Sequence, residues 1–168
     1  MMKEVRFDNR PFTLAGKEKK VGDKAPSFHV INHDMEDVSS DQFAGRVVII
    51  SVFPSVDTPV CSRQNKRFNK EASALGSEVA ILSISADLPF AQKRFCDVEG
   101  IKNAFVYSDY QDLDFGMKYG FVIEQLRLLT RGVVVIDKTG VIRHIEYVLD
   151  NANEVDYEKA LETVKSLQ

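Results

Sequence analysis

Near its start the chain alternates loosely, Val5 and Phe7 then Phe12 and Leu14, on either side of Asp8-Asn9-Arg10-Pro11. A period of two around a turn-forming cluster predicts a small β-hairpin. Gly16 to Pro26 is polar and turn-rich, Phe28 to Ile31 reads as a short strand, and Ser39-Ser40 is placed to cap a single turn ending near Gly45. Val47 to Phe53 and Val79 to Ser85 are apolar runs of strand length, the pattern of strands buried on both faces. Between them, helical spacing puts Cys61, Phe68, Ala72 and Leu75 on one face, with Gly76 as the stop. Such a strand-helix-strand unit is right-handed and parallel.

Pro89 opens a second helix with an apolar stripe of Leu88, Ala91, Phe95 and Val98, and Gly100 ends it. A strand over Ala104 to Tyr107 and a short helical piece over Leu113 to Tyr119 follow. Residues 120 to 130 carry no period that assigns them. Arg131 to Ile136, the turn Asp137-Lys138-Thr139-Gly140 and Val141 to Val148 form a second hairpin. A last helix from about Asp156 turns Tyr157, Ala160, Leu161, Val164 and Leu167 inward. This order predicts an α/β fold, a central mixed β-sheet flanked by helices on both faces.

Composition narrows the class. The 168 residues suit one domain, 1–168, with residues 1–16 as its hairpin extension. With 44% hydrophobic and 28% charged residues the chain is ordinary for a globular protein, and a net charge of −3 without basic clusters argues against nucleic acid. The apolar runs are far shorter than the ~20 residues that span a bilayer, which argues against a membrane protein. Met1 to Phe7 carries charges where a secretory signal needs its apolar core, so a cytoplasmic location is expected. In that reducing compartment a permanent disulfide staple is not expected of the two cysteines, and any disulfide between them would be transient and redox-active.

The stretch Pro54-Ser55-Val56-Asp57-Thr58-Pro59-Val60-Cys61 joins the first buried strand to its helix. Thr58 suits the N-cap, Pro59 then falls at the first helical position, and Cys61 lands in the first turn. Free N–H groups and the positive end of the helix dipole there favour a thiolate over a thiol. Packing alone explains a cysteine on an apolar helical face; it does not explain the Thr-Pro cap in front of Cys61. Cys96 lies off the 88/91/95/98 stripe and shares a face with Gln92 and Glu99, so it is expected at the accessible edge of a polar face. Bonding the two would need their Cα atoms within ~7 Å and local unwinding of a helix start, which spacing in sequence does not show.

Other candidates carry less. His29 and His33 are four apart in a strand and loop, with no ligand cluster around them, so no metal is expected. His144 falls on the polar alternation of the last hairpin and reads as a surface residue. Asp87, Asp109, Asp112 and Asp114 read as loop and cap residues. The chain holds no glycine-rich phosphate loop, no Gly-x-Ser-x-Gly and no Cys-x-x-Cys.

These residues resemble a known family. Pro54-x-x-x-Thr58-x-x-Cys61 matches the peroxidatic motif of the peroxiredoxins, and Ser55 to Cys61 is similar to the version in their bacterial thiol peroxidase subfamily. The resemblance extends to Phe12-Thr13-Leu14-Ala15-Gly16, to Val21-Gly22-Asp23-x-Ala25-Pro26-x-Phe28, to the second cysteine in the following helix, and to Arg131 opening the Val-Val-Val-Ile-Asp strand. It implies a thioredoxin-like fold and a peroxidase acting on hydrogen peroxide and alkyl hydroperoxides without metal, haem or other cofactor. By the same resemblance Cys61 would be the peroxidatic cysteine, Cys96 the resolving one, and Pro54, Thr58 and Arg131 the rest of the site. A Cys61–Cys96 disulfide recycled by thioredoxin, and a homodimer, are implied likewise. No Gly-Gly-Leu-Gly segment or C-terminal Tyr-Phe helix is present, so resistance to overoxidation is expected. A thiol-based redox sensor and a disulfide reductase of the same fold are the competing readings, the second disfavoured by the missing Cys-x-x-Cys.

Overall fold

The computed structural model describes residues 3–168; Met1 and Met2, the first two residues of the expected domain and its hairpin, lie outside them. The N-terminal hairpin pairs β1 (Glu4–Phe7) with β2 (Arg10–Ala15), and Asp8 and Asn9 make the turn with φ of 50° and 63°. Short polar side chains tolerate that left-handed backbone better than most. Next come β3 (His29–Ile31), β4 (Asp37–Ser39), a 3₁₀ turn over Ser40–Phe43, and β5 (Val47–Val52). Helix α1 (Pro59–Leu75), β6 (Val79–Ser85), α2 (Pro89–Glu99), β7 (Phe105–Ser108) and α3 (Asp114–Tyr119) follow. The chain then forms β8 (Val122–Ile123), β9 (Leu128–Leu129), β10 (Gly132–Ile136), β11 (Ile142–Tyr147) and α4 (Tyr157–Leu167).

Seven strands make the main sheet in the order β11-β10-β5-β6-β7-β3-β4. The β5, β6 and β7 pairs are parallel and the others antiparallel, so the sheet is mixed as expected. Alternate residues of its central strands feed two cores. Val48, Ile50, Val52, Leu82, Ile84 and Val134 pack with Phe115 and Tyr119 of α3, and with Phe28 and Phe43. Val47, Ile49, Ile81, Val133 and Val135 pack under Phe68 and Leu75 of α1 and Ala160, Leu161 and Val164 of α4.

Residues 120 to 130 have an explanation that periodicity does not reach. β8 and β9 are two residues each, and β8 pairs with β2, which draws the N-terminal hairpin into a second sheet, β1-β2-β8-β9. Two residues are too few to show a period.

His144 is a correction, since it is buried rather than at the surface. The register slips between Val135 and Ile136, so Ile142 faces Ile136 while His144 faces Val135. That bulge leaves Arg143 unpaired and breaks the two-residue alternation. The resulting polar side of β11 lies under α4, where Asp156 N–H donates to Glu146 Oε1 (2.9 Å).

Candidate active site

β5 ends at Val52, and the buried Phe53 and Pro54 carry the chain off the end of this central strand. Asp87, just beyond the end of β6, fixes the turn that follows. Its carboxylate accepts from Ser55 Oγ (2.8 Å), from the Val56 N–H (2.9 Å) and from Ser85 Oγ (2.6 Å). Thr58 is the N-cap of α1, with Pro59 first in the helix, and its Oγ1 accepts from the Cys61 N–H at 3.3 Å. The cap therefore holds the backbone of the cysteine itself. The Cys61 side chain is fully buried among Phe53 and Val56, with Phe95 of α2 packed against them.

The inner face of α1 carries two amides that periodicity missed, Gln64 and Asn65, both buried. Asn65 Nδ2 donates to the Cys61 carbonyl (2.9 Å). Gln64 Nε2 donates to Ser51 Oγ (2.8 Å) and to the Val52 carbonyl (3.0 Å), clamping the helix to the end of β5. Its Oε1 accepts from Arg131 Nη1 at 2.8 Å. They could have been found by asking which polar residues fall on the face that also holds Cys61 and Phe68.

Arg131 precedes β10, whose Gly132 pairs with Val52, so the register delivers the guanidinium to the strand end that launches the Cys61 turn. It is 1% exposed, yet among the described residues it has no carboxylate within 4 Å; Nη2 donates to the Asn151 carbonyl (3.2 Å) and Nε has no partner. A buried guanidinium without a counter-ion is an electrostatic site awaiting negative charge. Gly132 is required for the close packing beside it, because a Cβ there would overlap the Glu146 carbonyl oxygen and the Phe121 ring.

Cys96 is placed differently from the expectation. It is buried, not at an accessible edge, and the apolar stripe assigned to α2 is not its inner face. Pro89, Gln92 and Cys96 point inward, while Leu88 and Val98 are 51% and 75% exposed. Gln92 misleads because an amide reads as surface-facing. Here its Nε2 is satisfied inside, donating to Ser85 Oγ (3.0 Å) and to the Tyr107 carbonyl (2.8 Å). Burial first, and Asp97 second, push the Cys96 thiol up to about 11.

Pro54, Thr58, Cys61 and Arg131 thus share one end of the sheet, and Cys96 stands apart from them. Both cysteines are free, and they belong to separate apolar clusters that share Phe95. Among the described residues no three His, Cys, Asp or Glu side chains are arranged to hold a metal ion, and no helix is long and apolar enough to cross a membrane. His29 is instead engaged by Asp37 (2.8 Å) and Asp112 (3.2 Å).

A thiol at a capped helix start, with a buried arginine that has no counter-ion at the same strand end, is a setting for thiol-based redox chemistry. The redoxin family model matches residues 20–161. A thiol peroxidase of Listeria monocytogenes is 49% identical over 164 residues, covering 98% of this chain and 99% of that protein. The thiol peroxidase of Bacillus subtilis is 47% identical over 166 residues, with 99% of each covered. The crystal structure of a peroxiredoxin-like protein from Aquifex aeolicus superposes with a TM-score of 0.91 at 37% identity and 99% coverage of both chains. The chain belongs to the redoxin family, in its thiol peroxidase branch, and the fold is thioredoxin-like.

Proposed function

We propose that the protein is a thiol-dependent peroxidase that reduces hydrogen peroxide and alkyl hydroperoxides, with Cys61 as nucleophile and Cys96 as the resolving thiol. The observation that supports it most is the placing of Cys61 on the Thr58-capped start of α1, with Arg131 tied by Gln64 to the same helix and free of any carboxylate. The Cys61 thiolate attacks the terminal oxygen of R–O–O–H. The S–O bond forms as the O–O bond breaks, and the electron pair leaves on RO⁻, which takes a proton to become the alcohol, or water. Negative charge moves from sulfur to the departing oxygen, and a fixed guanidinium favours both ends of that path. A low thiol pKa does not by itself make a fast nucleophile, so positioning of the peroxide by Thr58, Pro54 and Arg131 supplies much of the rate.

Cys61 is left as a sulfenic acid. It condenses with the Cys96 thiol to a disulfide, releasing water. For that α2 must let go, because Cys96 is buried on the Gln92 face and Cα atoms must come within ~7 Å. A thioredoxin-type dithiol returns both cysteines to thiols and leaves as its own disulfide. A cytoplasmic role in protection against oxidative stress fits this cycle. The exposed Leu88, Phe90 and Val98 on α2 offer a homodimer an apolar surface beside the site. Steady-state turnover of cumene hydroperoxide with thioredoxin tests the reading. Cys61→Ser abolishes it, and Cys96→Ser permits one turnover and then stops; a Cys61→Ser protein with wild-type rate would overturn it, and peroxide-driven disulfide formation without turnover would favour a sensor.

A further inference from the structure

The sheet face packed by α3 contains a cavity of about 560 Å³ at the end of the strands opposite to Cys61. Val52 and Gly132 pair at the active-site end of β5 and β10, while Val48 and Ile136 pair at the other end and line this cavity. Four residues of β5 separate the two ends, about 13 Å at ~3.3 Å per residue. The volume lies in the range of small-molecule sites, about 300 to 1,000 Å³.

Its buried lining is apolar: Val48, Ile50, Leu82 and Ile136, with the rings of Phe28, Phe43 and Tyr119. The Tyr119 hydroxyl is already spent on the Pro26 carbonyl (2.7 Å), so the depth of the cavity suits a hydrocarbon. Its polar groups stand at the margin. Asp137 is already committed, accepting from Thr139 Oγ1 (2.7 Å), the Val141 N–H (3.0 Å) and Arg143 Nε (2.6 Å). Lys138 lies 3.7 Å from Glu78, and Asp41 accepts from Ser27 Oγ (2.7 Å). Lys24 and Arg46 also line the cavity, and among the described residues neither has a carboxylate within 4 Å. Arg46 donates one long bond from Nη2 to the Val79 carbonyl (3.4 Å), and its Nε is buried without a partner. A buried N–H left unpaired is costly, and an anionic acceptor would remove that cost.

We propose that this cavity binds one medium-chain alkyl carboxylate, with its chain over Val48, Ile50, Leu82 and Ile136 and its head group on Arg46 and Lys24. The order of the lining, apolar floor and cations without a carboxylate at the margin, matches the order of such a molecule. Sugars and nucleotides would leave their hydroxyls unpaired on the floor. The site is independent of the peroxidase chemistry.

The test is titration of the reduced, full-length protein with decanoate below its micelle concentration, followed by methyl NMR. Saturable one-to-one binding is expected, with the largest shifts at Ile50, Leu82 and Ile136. Arg46→Gln should weaken decanoate binding by about tenfold, as loss of a charge-assisted contact does, and leave decanol binding unchanged. Lys24 is exposed, so Lys24→Gln provides a second variant whose folding is not at risk. Cys61→Ser should bind as wild type does. No saturation, shifts centred on Val52 and Val56, or decanol binding as tightly as decanoate would each overturn the proposal.

Discussion

Gln64 joins Arg131 to the helix that carries Cys61: its Oε1 accepts from Arg131 Nη1 at 2.8 Å while its Nε2 donates to the end of β5. One amide thereby fixes the cation, the strand end and the helix relative to one another. Gln64→Leu removes the link without adding charge. Mispositioning by about 1 Å can cost ~100-fold in rate, and a loss of that order in kcat/KM for cumene hydroperoxide is expected. Cys61 should still be oxidised stoichiometrically at long times. Wild-type kcat/KM in Gln64→Leu would show that Arg131 needs no such anchor.

Asp87 plays the corresponding part for the turn. It accepts from two hydroxyls and one backbone N–H, and removing it leaves the Val56 N–H without its acceptor. Asp87→Ala should lower stability by about 1–3 kcal/mol, read as a reduced urea midpoint. It should also slow peroxide consumption. Asp87→Asn should recover part of both.

Gln92 latches α2 to β6 and β7 through Ser85 and the Tyr107 carbonyl. If Cys96 must leave its burial to reach Cys61, Gln92→Ala should speed disulfide formation after a pulse of peroxide while lowering stability. Stopped-flow fluorescence has only tyrosines to report on, so rapid acid quench and thiol counting is the better measurement. A slower disulfide step in Gln92→Ala would contradict release of the packed helix.

The same burial controls Cys96 chemically. With its thiol pushed up to about 11 it is almost wholly protonated at pH 8. In Cys61→Ser, where it is the remaining thiol, alkylation by iodoacetamide at pH 8 should be at least about 100-fold slower than for an unfolded control, because thiolate fraction sets the rate. It should rise with pH and jump on denaturation.

Much of this was legible in the sequence, and the failures share a cause. Apolar runs located β5 and β6, and Thr58-Pro59 located the start of α1, because burial on both faces and capping leave local marks. Gln64, Gln92 and His144 did not fit, since each is a polar residue buried by partners or a bulge far away in sequence. Reading α2 by hydrophobicity chose a stripe whose ends, Leu88 and Val98, are exposed instead of the Pro89, Gln92 and Cys96 face, and so exposed Cys96 wrongly. Arg131 was singled out through the family resemblance; composition offered no sign of it, because its setting depends on the pairing of Gly132 with Val52.

Stability should depend on pH through Asp109 and the three histidines. Burial raises Asp109 to about 7, against the N–H bonds from Gly116 and Phe115, and a carboxyl raised on folding contributes stability below its unfolded pKa that is lost as pH climbs through the folded one. His29 is raised, chiefly by its hydrogen bond to Asp37, and its contribution has the same sign, fading above about pH 6.5. His33 and His144, both lowered by burial, contribute with the opposite sign, so it is the Asp109 share of the urea midpoint that should fall between about pH 4 and 7. Asp109→Asn should flatten that fall.

The central claim is that Cys61 takes the peroxide oxygen and Cys96 then removes it. Intact-mass spectrometry after one equivalent of cumene hydroperoxide reads both steps directly. Wild type should lose two hydrogen atoms and show a Cys61–Cys96 disulfide on peptide mapping, Cys96→Ser should gain one oxygen atom on Cys61, and Cys61→Ser should keep its mass. Rapid oxygen gain by Cys61→Ser at Cys96, or a wild-type disulfide that forms only between chains, would contradict the account.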